Sequence, residues 1–227
     1  MRMRLLLLTA LLAVLGGCVP VSSDAGPRTQ VEQLTRPVGY YPDQAGARWE
    51  YLPDNAPVDD PRVIQLVEGP RVVNGRTLIS HLTRGAGAEE RKFRSIGPDG
   101  VELHMRSVPG AQTTFEPPML EFPAQLRRGA SWSGRTTAST LFPAARPEQR
   151  LEVQDIRYSY TVVDRRQVRV PAGAFDVYVI NQVTELLEDG RTVSSETREL
   201  WYSPYVGEIR TVGGFYLVEL NFTPTYP

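Results

Sequence analysis

The sequence predicts a mainly β protein: a single strongly curved antiparallel sheet, half-barrel or open barrel in form, with little helix. Three observations carry that prediction. Apolar residues recur with a period of two rather than 3.6. The runs that show this period are rich in Val, Tyr, Phe and Thr, which suit a pleated, half-buried surface. Between the runs stand pairs such as Asn74-Gly75 and Asp189-Gly190, whose residues tolerate the positive φ of a tight hairpin.

In chain order, residues 1–17 read as a lipoprotein signal peptide. Arg2 and Arg4 precede an apolar run over residues 5–15, and the small residues Gly16 and Gly17 follow. As a helix that run would cover ~16 Å, about half of a ~30 Å hydrocarbon core. It is too short to span a bilayer. Leu15-Gly16-Gly17-Cys18 resembles the lipobox of bacterial lipoproteins. The resemblance implies that the Cys18 thiol receives a diacylglycerol, that the preceding segment is removed, and that the new amino terminus is acylated. Two or more acyl chains anchor stably where a single chain is marginal. The mature chain is therefore expected to be held to a membrane through acylated Cys18. Residues 18–37, rich in Ser, Pro, Gly and Thr, read as the lipidated flexible tether, and residues 38–227 as the antiparallel β-domain.

Within that domain Val101, Leu103 and Met105 alternate with Glu102, His104 and Arg106. Ile156, Tyr158, Tyr160 and Val162 alternate with Arg157, Ser159 and Thr161. Phe175, Val177, Val179 and Val183 share one face of the next run, and Tyr216, Val218, Leu220 and Phe222 share a face opposite Glu219 and Asn221. Such alternation implies hairpins with one side on the core and the other in water. Asn74-Gly75, Pro98-Asp99-Gly100, Asp189-Gly190 and Gly213-Gly214 mark the reversals. Two segments look alike: Tyr41-Pro42 leads to Gly46-Ala47-Arg48-Trp49, and Phe122-Pro123 leads to Gly129-Ala130-Ser131-Trp132. They read either as two related halves of one sheet or as proline-stopped loops that each feed an aromatic core residue.

Val170-Pro171-Ala172-Gly173-Ala174-Phe175-Asp176-Val177, with Trp201-Tyr202-Ser203-Pro204-Tyr205-Val206-Gly207-Glu208-Ile209, resembles a family of uncharacterised bacterial envelope proteins, many of them lipoproteins. The Tyr-Pro…Gly-x-x-Trp opening is similar to that family's as well. The resemblance implies a strongly curved antiparallel sheet, like the half-barrels that carry lipoproteins across the periplasm, and it brings no catalytic residue. The blocks also have a local physical reading. Pro171 lacks an N–H and ends a strand, Gly173 supplies a permissive φ, and Pro204 and Gly207 do the same one hairpin later.

Composition bounds the function. The chain carries 25 basic and 26 acidic residues, a net charge of −1 that becomes more negative once Arg2 and Arg4 leave. The arginines are scattered, so no basic stripe points to nucleic acid. Cys18 is the single cysteine, and its lipidation leaves no thiol for a disulfide, a metal or nucleophilic attack. Only His81 and His104 offer an imidazole. His104 is expected on a solvated face with Glu102 and Arg106, and His81 on a face with Thr77 and Ile79. Gly129-Ala130-Ser131-Trp132-Ser133 lacks the last glycine of a nucleophile elbow. Asp54, Asn55, Asp59 and Asp60 share a proline-bounded loop, but Ala56 and Val58 stand where a calcium loop needs ligands.

No catalytic residue, metal or cofactor is therefore assigned. The expected function is that of a non-catalytic, membrane-anchored lipoprotein of the bacterial cell envelope that binds an apolar ligand or an envelope protein. The alternatives are a purely architectural envelope-assembly lipoprotein and a hydrolase of envelope glycan or lipid. Trp49, Trp132 and Trp201 are the candidate ligand-binding side chains.

Overall fold

A computed structural model describes residues 40–224. The signal peptide, Cys18 and the tether lie outside the described residues. Twelve strands follow one another: β1 (Arg48–Pro53), β2 (Val63–Val73), β3 (Arg76–Gly85), β4 (Ala88–Gly97), β5 (Gly100–Val108), β6 (Ala111–Pro123), β7 (Ser131–Leu141), β8 (Leu151–Val170), β9 (Gly173–Glu188), β10 (Arg191–Ser203), β11 (Gly207–Arg210) and β12 (Phe215–Leu220). Each pairs antiparallel with its neighbours, and β12 pairs with β1, so the sheet closes into a barrel. The mainly β, antiparallel reading holds, and the curvature runs on to full closure. Closure satisfies backbone groups that a half-barrel would leave along two open edges. A three-residue 3₁₀ turn, Pro147–Gln149, is the one helical element among the described residues. Each of the described strands has its ladder partners within residues 40–224.

The hairpin signals act as their chemistry requires. Asn74 and Gly75 have φ of 49° and 76°, and Asp189 and Gly190 have 50° and 77°. Both central residues are left-handed, the geometry that matches strand twist in a two-residue hairpin. Because every connection joins neighbours, the loops alternate between two ends of the barrel. One end carries Tyr40, the turns at 74–75, 98–99, 171–172 and 204–206, and loop 124–130. It is sealed by side chains: Tyr40 donates to the Pro123 carbonyl at 2.5 Å, Tyr202 to the Tyr40 carbonyl at 3.2 Å, and Tyr178 to the Leu126 carbonyl at 3.2 Å. Loops 54–62, 86–87, 142–150 and 211–214 ring the opposite end.

Two hydrophobic clusters hold the barrel. The first gathers Leu103, Phe115, Phe122, Tyr160, Ile180 and Tyr202, and the second gathers Trp49, Tyr51, Val177, Val179, Ile209 and Leu217. The first half of β9 lies between them. Tyr178 and Ile180 belong to one cluster, while Phe175, Val177 and Val179 belong to the other, so both faces of that stretch are dry. In β12 the buried residue is Leu217, whereas Tyr216, Val218 and Leu220 are half-buried. This reverses the face expected from alternation. The register shift between Glu50 and Tyr51 brings Leu217 opposite Tyr51, and local periodicity carries no mark of it.

The two look-alike segments are structurally equivalent. Gly46 and Gly129 have φ of 90° and 77°, and Trp49 and Trp132 are each the second residue of a strand. The Gly46 N–H donates to Val67 O at 2.8 Å, and the Gly129 N–H to Val162 O at 2.9 Å. Val67 and Val162 in turn donate to Ala47 and Ala130, each at 2.9 Å. Directly after each valine the partner strand bulges. The same three-part device, a left-handed glycine, a two-way backbone exchange and a bulge, therefore opens each half of the barrel.

Within the second half, Gly134 on β7 faces Tyr158 on β8. A Cβ at Gly134 would overlap the Tyr158 ring and hydroxyl, and that hydroxyl accepts the Leu120 N–H at 3.0 Å. Gly134→Ala is therefore expected to displace the ring and cost about 1–3 kcal/mol, read as a lower urea midpoint.

Candidate functional site

The lumen holds two adjoining cavities of about 330 Å³ and 340 Å³. They share Glu90, Lys92, Arg94, Arg198, Glu208 and Val212 in their walls, so a charged belt marks where they meet. The first runs from Tyr41 and Pro42 at the sealed end to Ala86 and Gly213 at the opposite rim, past Trp49, Tyr202 and Phe215. The second is walled by Phe115, Met119, Phe122, Tyr160 and Leu200, with Gln154 and Glu196 also on its lining. Each volume falls within the range of small-molecule sites, roughly 300–1,000 Å³.

The belt comes largely from one strand. Alternate residues of a strand point to opposite faces, and on β4 Glu90, Lys92 and Arg94 line the lumen. On the other face Arg91 pairs with Glu89 at 2.6 Å and with Glu68 at 3.3 Å. Arg94 is almost wholly buried and reaches Glu121 on β6 through Nε at 2.5 Å and Nη2 at 3.4 Å. Its guanidinium also lies 5.7 Å from the centre of the Tyr41 ring. Burial works against charge on both partners, yet their mutual attraction prevails. The Arg94 pKa is raised and that of Glu121 is lowered.

Two other groups are tuned by burial without such a partner. Glu208, on β11, makes no hydrogen bond or ion pair through its carboxylate among the described residues, and burial raises its pKa despite Lys92 and Arg94. His81, on β3, has both ring nitrogens buried without a hydrogen bond. Burial first, and Arg94 second, hold its pKa down at about 3, so the ring is neutral at physiological pH. Tyr41 meets that ring edge-on at 5.7 Å and stacks on Tyr202 at 6.1 Å.

The three tryptophans have separate places. Trp49 lines the first cavity and donates to the Val206 carbonyl at 2.6 Å. Trp132 stacks on Tyr160 at 5.1 Å and donates to the Leu120 carbonyl at 3.1 Å. Trp201 donates to Glu199 at 2.8 Å, and Arg166 and Arg210 lie over its ring at 5.1 Å and 5.7 Å. Neither Trp132 nor Trp201 lines either cavity.

His104, expected in solvent, is instead held against Ser95 Oγ at 2.8 Å with its side chain only 12% exposed. Burial lowers its pKa, and Arg76 beside it opposes the pull of Glu102.

Arg94, Glu121 and Glu208 escape sequence reasoning. The available signal was the strand Ala88–Gly97, where charges occupy both parities. A strand with ionic groups on both faces must turn one set inward when the sheet closes. The Val170-Pro171-Ala172-Gly173 and Trp201-to-Gly207 blocks form the β8–β9 and β10–β11 connections. Gly207 at φ 108° is pressed against Trp49, where a Cβ would lie 3.2 Å from the indole nitrogen.

No protein family, no curated protein and no solved structure matches this chain.

Proposed function

We propose that the protein is a non-catalytic binding barrel of the bacterial cell envelope, held to a membrane through acylated Cys18 and carrying a hydrophobic ligand in its lumen. The observation that carries this reading is the pair of adjoining cavities inside a closed barrel, sealed at one end and walled by Tyr41, Trp49, Tyr202, Phe215 and Phe122. A chamber closed at one end and lined by aromatic rings shields much of an apolar body from water, as a transported or sensed hydrophobe requires. The lipobox and the resemblance to envelope lipoproteins support the compartment.

The test is native mass spectrometry of residues 38–227, secreted into a bacterial periplasm and analysed without delipidation. A one-to-one bound mass that fragments to a hydrophobic molecule is expected. A bare protein mass overturns the carrier and directs attention to capture of envelope partners by the full chain.

One observation favours a second reading. Glu121 and Glu208 both line the second cavity with their pKa values pushed in opposite directions, the pattern of an acid–base pair in a hydrolase. Against it, Arg94 engages both oxygens of Glu121, which marks that carboxylate as an ion-pair partner. Turnover of an envelope glycan that disappears in Glu208→Gln would decide for the hydrolase.

A further inference from the structure

We propose that the lumen is shaped for a zwitterion with an apolar body: an ammonium group on Glu208, an anionic group on Lys92, and the body against Tyr41, Trp49, Tyr202 and Phe215. This rests on the lumen being a ligand site.

Several of the belt's charged groups already have close partners. Arg94 is taken by Glu121 at 2.5 Å and Arg198 by Glu196 at 2.8 Å. Glu90 faces two cations, Arg106 and Lys92, each at 3.7 Å, beyond hydrogen-bond reach. Arg106 is half exposed and keeps its water. Two groups then remain with their hydrogen-bonding capacity directed at the cavity: the Lys92 ammonium, with three donors, and the Glu208 carboxylate, with its acceptor oxygens. Both line both cavities. Lys92 is the foremost cation acting on Glu208, yet the two do not form an ion pair. Both lie on the belt where the two cavities meet.

A ligand entering this space displaces the water that solvates both groups. A plain hydrocarbon would leave Glu208 with no partner and Lys92 with only its 3.7 Å contact to Glu90, and burying a poorly compensated charge costs several kcal/mol. A fatty carboxylate would satisfy Lys92 and repel Glu208, and an alkylamine would do the reverse. A zwitterion satisfies both and keeps the lumen electrically balanced. Charge-assisted hydrogen bonds at each end would fix its orientation. The apolar surface on either side of the belt then receives the body, with aromatic faces also suited to the ammonium's alkyl neighbours.

Two sources share this chemistry, a single-chain phosphoethanolamine lipid and an apolar dipeptide with free termini. The experiment is calorimetric titration of residues 38–227, freed of co-purifying molecules, with four probes below any micellar concentration: lysophosphatidylethanolamine, the dipeptide Leu-Phe, dodecanoate and dodecylamine.

At least one zwitterion is expected to bind one-to-one, about tenfold or more tighter than dodecanoate or dodecylamine. Which zwitterion binds identifies the source. Glu208→Gln is expected to weaken that zwitterion by about tenfold while strengthening dodecanoate, and Lys92→Met to weaken it while strengthening dodecylamine. Opposite shifts in the two variants separate head-group recognition from a general loosening of the barrel. Thermal melts supply a control, since Glu208→Gln removes a half-buried carboxylate that has no hydrogen-bond or ion-pair partner among the described residues and is expected to melt no lower than the parent. If a singly charged probe binds tightest, or Glu208→Gln leaves zwitterion affinity unchanged, the proposal fails while the carrier reading survives. If none of the four binds, the zwitterion proposal fails, and the native mass spectrum decides the carrier reading separately.

Discussion

Arg94→Ala is expected to destabilise the barrel by about 3–5 kcal/mol, because it leaves Glu121 charged and unpaired inside the lumen wall. The side chains of Arg94 and Glu121 are only 6% and 12% exposed, so water replaces the missing contact poorly. The loss is a desolvation penalty left uncompensated, not the worth of one hydrogen bond. Two comparisons isolate that cause. Glu121→Gln in the Arg94→Ala background removes the stranded charge and is expected to recover most of the loss. The double variant Arg94→Met, Glu121→Leu is expected to lie within about 1–2 kcal/mol of the parent, since apolar replacement of a buried pair is often near neutral. Urea denaturation of the four proteins at neutral pH measures this directly. Equal stability of Arg94→Ala and the parent would show that the pair is hydrated.

The second large effect is acid lability centred on His81. Its pKa is about 3 in the folded barrel against 6.5 for an ordinary histidine. The depressed value means that the unfolded chain binds a proton the folded one refuses. Stability from this site is therefore complete above about pH 6.5 and is lost as pH falls towards 3. At about 1.4 kcal/mol per unit, the full window amounts to roughly 4–5 kcal/mol, a large part of the ~5–15 kcal/mol of a typical domain. Glu121, whose pKa is lowered, adds to the loss on the acid side. Glu208, whose pKa is raised, acts with the opposite sign: its cost to folding fades as pH drops towards the ordinary carboxylate range. His81→Leu removes the titrating ring and both unbonded nitrogens. Its urea midpoint is expected to change less than the parent's between pH 7 and pH 4. Parallel pH dependence in the two proteins would place the acid-sensitive group elsewhere.

Much of the architecture was legible in the sequence because it is written locally. Asn74-Gly75 and Asp189-Gly190 specify left-handed pairs, and Val101, Leu103 and Met105 put one buried face on one strand. The matched Gly-x-x-Trp segments also announced a device that the backbone repeats. Closure was not legible, because the pairing of Trp49 with Leu220 is a contact between residues at opposite ends of the domain. Nothing in either strand alone distinguishes a partner from an edge. The lumen was hidden for a related reason. In Glu89-Glu90-Arg91-Lys92 a period of two cannot say which parity turns inward when both carry charge. Only the closed sheet decides, and it places Glu90 and Lys92 inside. His104 was misjudged in the same way: its neighbours Glu102 and Arg106 suggested water, while Ser95 on the adjacent strand covers it.

The pairing of β12 with β1 sets the timing of the protein's own assembly. The outer edge of β1 stays open until β12, the last strand of the series, docks onto it. Neighbouring hairpins such as β8–β9 form from nearby residues, but the final seam waits on the most distant contact in the domain, a slow kind of step. Until then the nascent sheet presents unpaired N–H and C=O groups to any other strand in reach. A chain cut short before Phe215 would keep that edge permanently. For such a protein a premature stop near the carboxyl end produces a self-adhesive sheet in place of a slightly smaller barrel.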